Sequence, residues 1–185
     1  MPSSAFEAKG LLKTAIRDNN PVVIFEDKLM YQDKAPVPEQ EYLIPFGAAH
    51  ILREGSDITL VATSSMVQVA QAAALHLAEQ GVSAEVIDQR TIAPLDEETI
   101  LTSVKKTSRA IVIDEGHQSY GVTAEIAARI AEKAFYHLDA PVQRLGAMDV
   151  PIPFSPALED LTVPTPEDVV ARALMAMRGE LFHAL

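Results

Sequence analysis

The sequence predicts a three-layer α/β fold, in which a mostly parallel sheet is covered by helices on both faces. Four β-forming runs alternate with four segments of helical periodicity, an order typical of consecutive strand–helix–strand units. The run Ala110–Asp114 is almost continuously apolar, which indicates a central strand buried on both faces.

The alternating elements can be placed from apolar spacing and from the residues that cap helices. The predicted strands are Ile58–Thr63, Ala84–Asp88, Ala110–Asp114 and Val142–Gly146. The predicted helices are Met66–Gln80, Glu97–Thr107, Val122–His137 and a last helix from Pro166 towards Gly179. Ser64 and Ser65 are candidate caps of the first helix, and Gly81 suits its left-handed end. Asp96 is the expected N-cap of the second helix, and Thr165 with Asp168 predicts a capping box for the last.

The N-terminal part does not continue this alternation. Apolar spacing predicts a helix over residues 5–18, capped by Ser3 or Ser4, and then a short buried strand at Val22–Phe25. Residues 28–45 are polar and rich in proline, which predicts an extended linker. Because one helix and one strand cannot close a core, residues 1–27 are interpreted as the end of a domain that begins upstream. Residues 46–185 form the main predicted domain.

Composition and charge exclude several classes of function. The 185 residues contain no cysteine and carry a formal net charge of −11. Nucleic-acid binding normally needs a surplus of basic residues, so it is not expected. No apolar run approaches the length of a membrane span and no signal peptide is visible, which predicts a soluble cytoplasmic protein. An acidic surface serves either solubility or the docking of a basic partner.

The richest candidate for chemistry is the loop from Asp114 to Gly121, which lies beyond a predicted strand where α/β proteins bind ligands. His117 and Ser119 are its candidate residues for acid–base or anion-binding chemistry. The alternative is a polar crossover loop in which Ser119 caps the next helix. No two histidines have the spacing of a metal pair, and no serine-hydrolase motif is present.

Several segments together resemble a known family. The stretches that carry the resemblance are Glu7–Leu12, Asn20–Glu26, Lys28–Tyr31, Arg53–Val61, Val86–Pro94, Leu138–Pro141 and Pro151–Phe154. They resemble the β subunit of the thiamine-diphosphate-dependent first component of 2-oxo acid dehydrogenase complexes. The passages Val37–Gly47 and Pro94–Glu97 are closest to the acetoin and bacterial pyruvate branches. The loop Gly116–Ser119 is less similar to those branches, so the substrate stays open between acetoin, pyruvate and a branched-chain 2-oxo acid.

The resemblance implies a C-terminal half of such a subunit. Residues 46–185 would be a domain like the C-terminal domain of transketolase, and residues 1–27 the remnant of the pyrimidine-binding domain. The holoenzyme of this family is an α2β2 tetramer that holds thiamine diphosphate and magnesium between subunits. The glutamate that activates the cofactor would lie upstream of Met1, so no catalytic, cofactor-binding or metal-binding residue is assigned here. The chain alone is expected to bind no cofactor and to be inert.

The resemblance also implies partners. They are the α subunit, a second β subunit and the acyltransferase core, and the chain by itself could form a homodimer. Asp139 and the C-terminal helix are the candidates for docking the acyltransferase, although Asp139 also suits a local cap.

Two other hypotheses remain. The first is a free-standing α/β binding or oligomerisation module without catalysis, which coding sequence continuous upstream of Met1 would disfavour. The second is a self-sufficient α/β enzyme that uses His117, which would need a pocket with convergent polar groups.

Overall fold

The computed structural model describes residues 1–180 and places five strands in one sheet, in the order β1-β3-β2-β4-β5. The strands are β1 (His50–Arg53), β2 (Ile58–Ala62), β3 (Ala84–Asp88), β4 (Ala110–His117) and β5 (Gln143–Ala147). Strands β2 to β5 are parallel, and β1 is antiparallel to β3 at one edge. The last five residues of the predicted main domain lie outside the described part of the chain.

Residues 1–180 contain six α-helices. They are α1 (Ala5–Arg17), α2 (Met66–Glu79), α3 (Glu97–Thr107), α4 (Val122–Ala134), α5 (Pro156–Glu159) and α6 (Pro166–Met177). Of these, α2, α3, α4 and α6 pack on the sheet. Short 3-10 turns follow at Leu29–Gln32 and Phe135–His137. None of the helices within residues 1–180 is long and apolar enough to cross a membrane.

The core has two halves because successive side chains of a strand point to opposite faces. On one face Leu60 and its neighbours pack against α2 and α6. On the other face Val61 packs with Ile100 of α3 and with Ile126 and Ile130 of α4. This arrangement confirms the predicted three-layer α/β fold with a mostly parallel sheet.

Most helix ends have the capping residues that the sequence predicted. The Asp96 side chain accepts a hydrogen bond from the Thr99 amide at the start of α3. Thr165 and Asp168 form the predicted capping box of α6. Gly81 has a φ of +78°, the left-handed conformation expected after α2. The predicted serine cap of α2 is wrong, because Ser65 makes no capping bond and its hydroxyl instead donates to Glu115.

Two further expectations need correction. Residues 22–25 form no strand and Val23 is 75% exposed, because no strand within residues 1–180 lies beside this segment to pair with it. Strand β1 was not predicted, since His50–Arg53 has neither the length nor the unbroken apolar character of the other strands. The sheet edge therefore extends one strand further than the sequence indicated.

The N-terminal helix and the following linker pack against each other. Ile44 lies against Gly10, the Thr14 hydroxyl donates to the Ile44 carbonyl oxygen at 2.7 Å, and the rings of Phe6 and Tyr42 stack at 4.5 Å. A Cβ atom at Gly10 would lie 2.5 Å from Ile44 Cγ1, so this close approach requires glycine. The linker thus packs along α1.

Candidate functional site

The carboxyl ends of β2 and β4 meet in a hydrogen-bonded cluster. The Thr63 hydroxyl donates to the buried Asp114 carboxylate, which also accepts from the Gly116 amide at 2.8 Å. The Ser65 hydroxyl donates to Glu115 Oε2 at 2.7 Å. The loop predicted from Asp114 to Gly121 and the start of α2 are therefore brought together at the sheet edge where α/β proteins bind ligands.

The outer part of the same edge contains the predicted loop candidate. His117 Nε2 lies 3.0 Å from the Val150 carbonyl oxygen, and Arg144 donates to the Gln118 carbonyl oxygen at 2.9 Å. The Ser119 amide and hydroxyl both bind the Asp149 carboxylate, and these hydrogen bonds lower the pKa of Asp149. The main contact of the His117 ring is a backbone oxygen, so the geometry assigns the side chain a role in fixing the loop.

Ser119 does not cap the following helix. Gly121 occupies the N-cap position of α4 and makes no side-chain cap, while Ser119 lies against Asp149. The interpretation of Ser119 as a cap is therefore wrong. The sequence could not show this, because Asp149 is 30 residues away along the chain.

The N-terminal segment covers the inner part of the edge. The Ser3 hydroxyl donates to Asp88, and Arg90 binds the Glu7 carboxylate at 2.7 Å. His50 Nδ1 lies 3.8 Å from the same carboxylate. Burial, as the largest cause, raises the pKa of Asp88, although the Ser3 hydroxyl and the Arg90 amide hydrogen-bond to its carboxylate. The start of α1 is thus fixed over the ligand-binding edge by buried polar contacts.

These N-terminal contacts were missed from the sequence. Glu7 lies four residues before Leu11 and both are buried, so Glu7 occupies the apolar face of α1. A carboxylate in such a position is a signal of a buried partner. Its partner Arg90 is 83 residues away, and only the fold shows which loop supplies it.

The connector also reaches this edge. The Asp27 side chain lies near Glu115, and its Oδ1 atom accepts a hydrogen bond from the Leu29 amide at 2.8 Å. Burial is the largest cause that raises the pKa of Glu115, and the negative charges of Asp27 and Asp114 add to it. The Ser65 hydroxyl is the hydrogen-bond donor to Glu115, and the acidic residues Asp27 and Asp114 lie nearby.

The hydrogen bonds at this edge position segments of the chain against one another. Within the 180 described residues, no three His, Cys, Asp or Glu side chains are grouped to hold a metal ion. On the inner half Ser3 binds Asp88 and Arg90 binds Glu7, while the buried atoms Glu7 Oε2 and Arg90 Nε have no hydrogen-bond partner within residues 1–180. The site-residue prediction, with no catalytic residue and His117 as loop candidate, stays a prediction.

A separate apolar surface lies beside this edge. A cleft of about 420 Å³ is lined by residues 18 and 20–25, together with Met1, Leu11, Phe46 and residues 91–94. Ile16 and Phe25 are 72% and 60% exposed. We refer to the exposed apolar residues of α1 and of the segment after it as the N-terminal apolar face, which comprises Leu12, Ile16, Val22, Val23 and Phe25.

Asp139, the predicted docking residue, lies far from this face on the turn before β5. Its carboxylate binds Arg109 at 3.2 Å and its amide donates to the Ser108 carbonyl oxygen at 2.8 Å. The side chain is 58% exposed, so it is both a local ion-pair partner and open to contact. These contacts do not test whether Asp139 docks a partner, so that role stays a prediction.

The chain was compared with known proteins. The family model described as transketolase, C-terminal domain, matches residues 47–169. The chain is 49% identical to the acetoin:2,6-dichlorophenolindophenol oxidoreductase subunit beta of Bacillus subtilis (strain 168), over 94% of this chain and 51% of that protein. It is also 49% identical to the mitochondrial pyruvate dehydrogenase E1 component subunit beta-1 of Arabidopsis thaliana, over 91% of this chain and 48% of that protein.

A solved structure has the same fold as this chain. A split gene transketolase, described as an inactive beta4 tetramer, superposes with a TM-score of 0.79 and 26% identity over 97% of this chain and 57% of that one. The chain spans about half the length of the curated relatives it matches. Because this family model matches well over half of the chain, the chain belongs to the transketolase C-terminal domain family.

Proposed function

We propose that this chain acts as the C-terminal half of the β subunit of a thiamine-diphosphate-dependent pyruvate or acetoin dehydrogenase. The observation that carries the proposal is the 49% identity over 94% of the chain to a subunit of an acetoin oxidoreductase. The role of this half is subunit assembly, and the chain on its own is expected to be without activity. Acetoin and pyruvate are the substrates to test, because relatives of both kinds share 49% identity with the chain.

The division into residues 1–27, 28–45 and 46–185 belongs to the same proposal. Exposed β-branched and aromatic residues on the N-terminal apolar face support it, since such side chains normally lie in a core or an interface. In the whole subunit, the remainder of the pyrimidine-binding domain would cover this face. Residues 22–25 would then become a strand of that domain.

Thiamine diphosphate and magnesium are proposed as cofactors of the complete enzyme. In this proposal the cofactors lie between subunits of the complete enzyme, and no residue of this chain is assigned to hold them.

The proposed partners are the α subunit, a second β subunit and the acyltransferase core, in the cytoplasm. The exposed carboxylate of Asp139 supports docking of a basic module, because the chain carries a net charge of −11. The description of the similar split gene transketolase as an inactive beta4 tetramer supports a second candidate, a module that self-assembles without catalysis.

A chimera tests the first candidate directly. This chain would replace the matching C-terminal half of the Bacillus subtilis β subunit, and the chimera would be purified with the corresponding α subunit. We expect α binding and acetoin-dependent reduction of 2,6-dichlorophenolindophenol within about tenfold of the unmodified enzyme, because the two halves are 49% identical; a tenfold loss corresponds to about 1.4 kcal/mol of activation free energy.

The control is the same β subunit truncated before the exchanged half, which should neither bind α nor reduce the dye. A chimera that folds, as judged by circular dichroism, but does not associate with α would contradict the assembly role. Self-association of the chimera to tetramers without α binding would favour the second candidate.

A further inference from the structure

Three consecutive carbonyl groups of the connector converge on a single cation of α1. The Lys9 ammonium donates to the backbone carbonyl oxygens of three residues, which are Pro38, Glu39 and Gln40. Its nitrogen lies 3.5 Å from the Glu39 oxygen and 3.2 Å from the Gln40 oxygen. An ammonium group has three hydrogen-bond donors and no acceptor, so the three oxygens match its full donor capacity. Residues 38–40 therefore bind Lys9 through their backbone.

The ring of Tyr42 completes the surroundings of this ammonium. Lys9 Nζ lies 5.0 Å from the centre of the ring, within the range of a cation–π contact. The ring is itself fixed on α1, because it stacks on Phe6 and its hydroxyl donates to the Phe6 carbonyl oxygen at 2.8 Å. We refer to the three carbonyl groups of residues 38–40 and the Tyr42 ring as the ammonium cage.

Two further basic residues follow on the same face of α1 and make a different contact with the connector. Lys13 and Arg17 both pair with the Glu41 carboxylate, and their side chains are 35% and 49% exposed. Exposed ion pairs of this kind contribute little to stability, because solvent screens the charges. The oxygen partners of Lys9 are instead neutral carbonyl dipoles, which bind a cation through their number and direction. The Lys9 contact therefore has the geometry of a binding site rather than of a surface ion pair.

We propose that the ammonium cage is a binding site for primary alkylammonium groups, which Lys9 occupies as a ligand tethered to the chain. The site recognises such a group through N–H donors directed at the oxygens of residues 38–40 and through a positive charge beside the Tyr42 ring. A quaternary ammonium has the charge but no N–H donor, so it matches only the ring. Occupation of the cage holds the connector on α1, where the Ile44 amide donates to the Gly10 carbonyl oxygen at 3.4 Å.

The unmodified chain gives the first test, which depends on no variant. Nuclear magnetic resonance of the lysine side chains measures how fast the ammonium hydrogens exchange with water. We expect the Lys9 hydrogens to exchange about tenfold more slowly than those of Lys13, because all of them are bound in the cage. Equal exchange rates at the two lysines would contradict the cage.

Chemical rescue then tests the site with a free ligand. Lys9→Ala removes the side chain beyond Cβ, and n-propylammonium chloride supplies the removed carbons together with the ammonium. We expect the Ile44 amide to exchange its hydrogen about tenfold faster in Lys9→Ala, because the charge-assisted hydrogen bonds of the cage are lost. Added n-propylammonium should reverse most of this increase and show nuclear Overhauser contacts with the Tyr42 ring.

Two controls separate recognition of the ammonium from a general effect of charge. Tetramethylammonium chloride at the same ionic strength should leave the fast exchange of Lys9→Ala unchanged, since screening alone does not fill the cage. Lys13→Ala removes the same charge from the same face of α1 and should alter the exchange of the Ile44 amide by less than about twofold. Unchanged exchange in Lys9→Ala, no reversal by n-propylammonium, or equal reversal by tetramethylammonium would each overturn the proposal.

Discussion

Replacing Arg90 by Met is expected to destabilise the chain by about 3–5 kcal/mol at neutral pH. Arg90 binds the Glu7 carboxylate at 2.7 Å, and the two side chains are only 12% and 5% exposed. Methionine preserves much of the volume but leaves Glu7 as a buried charge without its partner. Urea denaturation followed by circular dichroism measures the loss as a lower transition midpoint.

An exposed arginine of α1, the helix that carries Glu7, gives the matched control. Arg17 binds Glu41 at the surface, where both side chains are about half exposed. Arg17→Met is expected to cost at most about 1 kcal/mol. Adding Glu7→Gln to Arg90→Met should recover part of the stability, because the uncompensated charge is removed. Equal effects of the two arginine substitutions would contradict a docked N-terminal helix.

Truncating Leu60 to Ala is expected to cost about 2–5 kcal/mol. Leu60 is completely buried in β2, the strand between β3 and β4, and it packs in the core half formed with α2 and α6. The loss combines the transfer free energy of the removed atoms with the cavity left behind. The denaturant midpoint should fall while the slope of the transition stays unchanged.

Leu75 provides the comparison for this substitution. It lies in α2 but is 59% exposed, so Leu75→Ala should change the free energy of unfolding by no more than about 0.5 kcal/mol. A loss at Leu75 equal to that at Leu60 would mean that the outer face of α2 is covered in solution.

The sequence predicted the parts of the fold that depend on local patterns. The apolar run Ala110–Asp114 indicated a central strand, and Thr165 with Asp168 indicated the start of the last helix. Both features are set by residues close together in the chain. The strand predicted at Val22–Phe25 was wrong because that prediction also used only the local pattern. A β-forming run becomes a strand only beside another strand.

The polar contacts at the sheet edge could not be predicted in this way. Glu7 pairs with Arg90, and Ser3 with Asp88, across more than 80 positions of sequence. The sequence pattern showed that polar loops follow the carboxyl ends of the strands. It did not show that the N-terminal segment covers these loops. That position is set by the packing of α1 and the linker against the main domain.

The N-terminal segment therefore has a buried polar part and an exposed apolar part. Buried polar groups fix the N-terminal segment over the edge, while the N-terminal apolar face is left exposed. Exposed apolar patches of this kind mark surfaces that contact other protein segments. This contrast supports the proposal that the chain contributes assembly surfaces and that the complete enzyme supplies the chemistry.

Calorimetric titration with thiamine diphosphate and magnesium tests this central proposal most directly. The chain alone would be compared with an assembly of full-length β subunit and α subunit under the same conditions. We expect no saturable binding by the chain and clear binding by the assembly. Saturable, tight binding by the chain alone would place a cofactor site within these 185 residues and would contradict the proposed role as an inert assembly half.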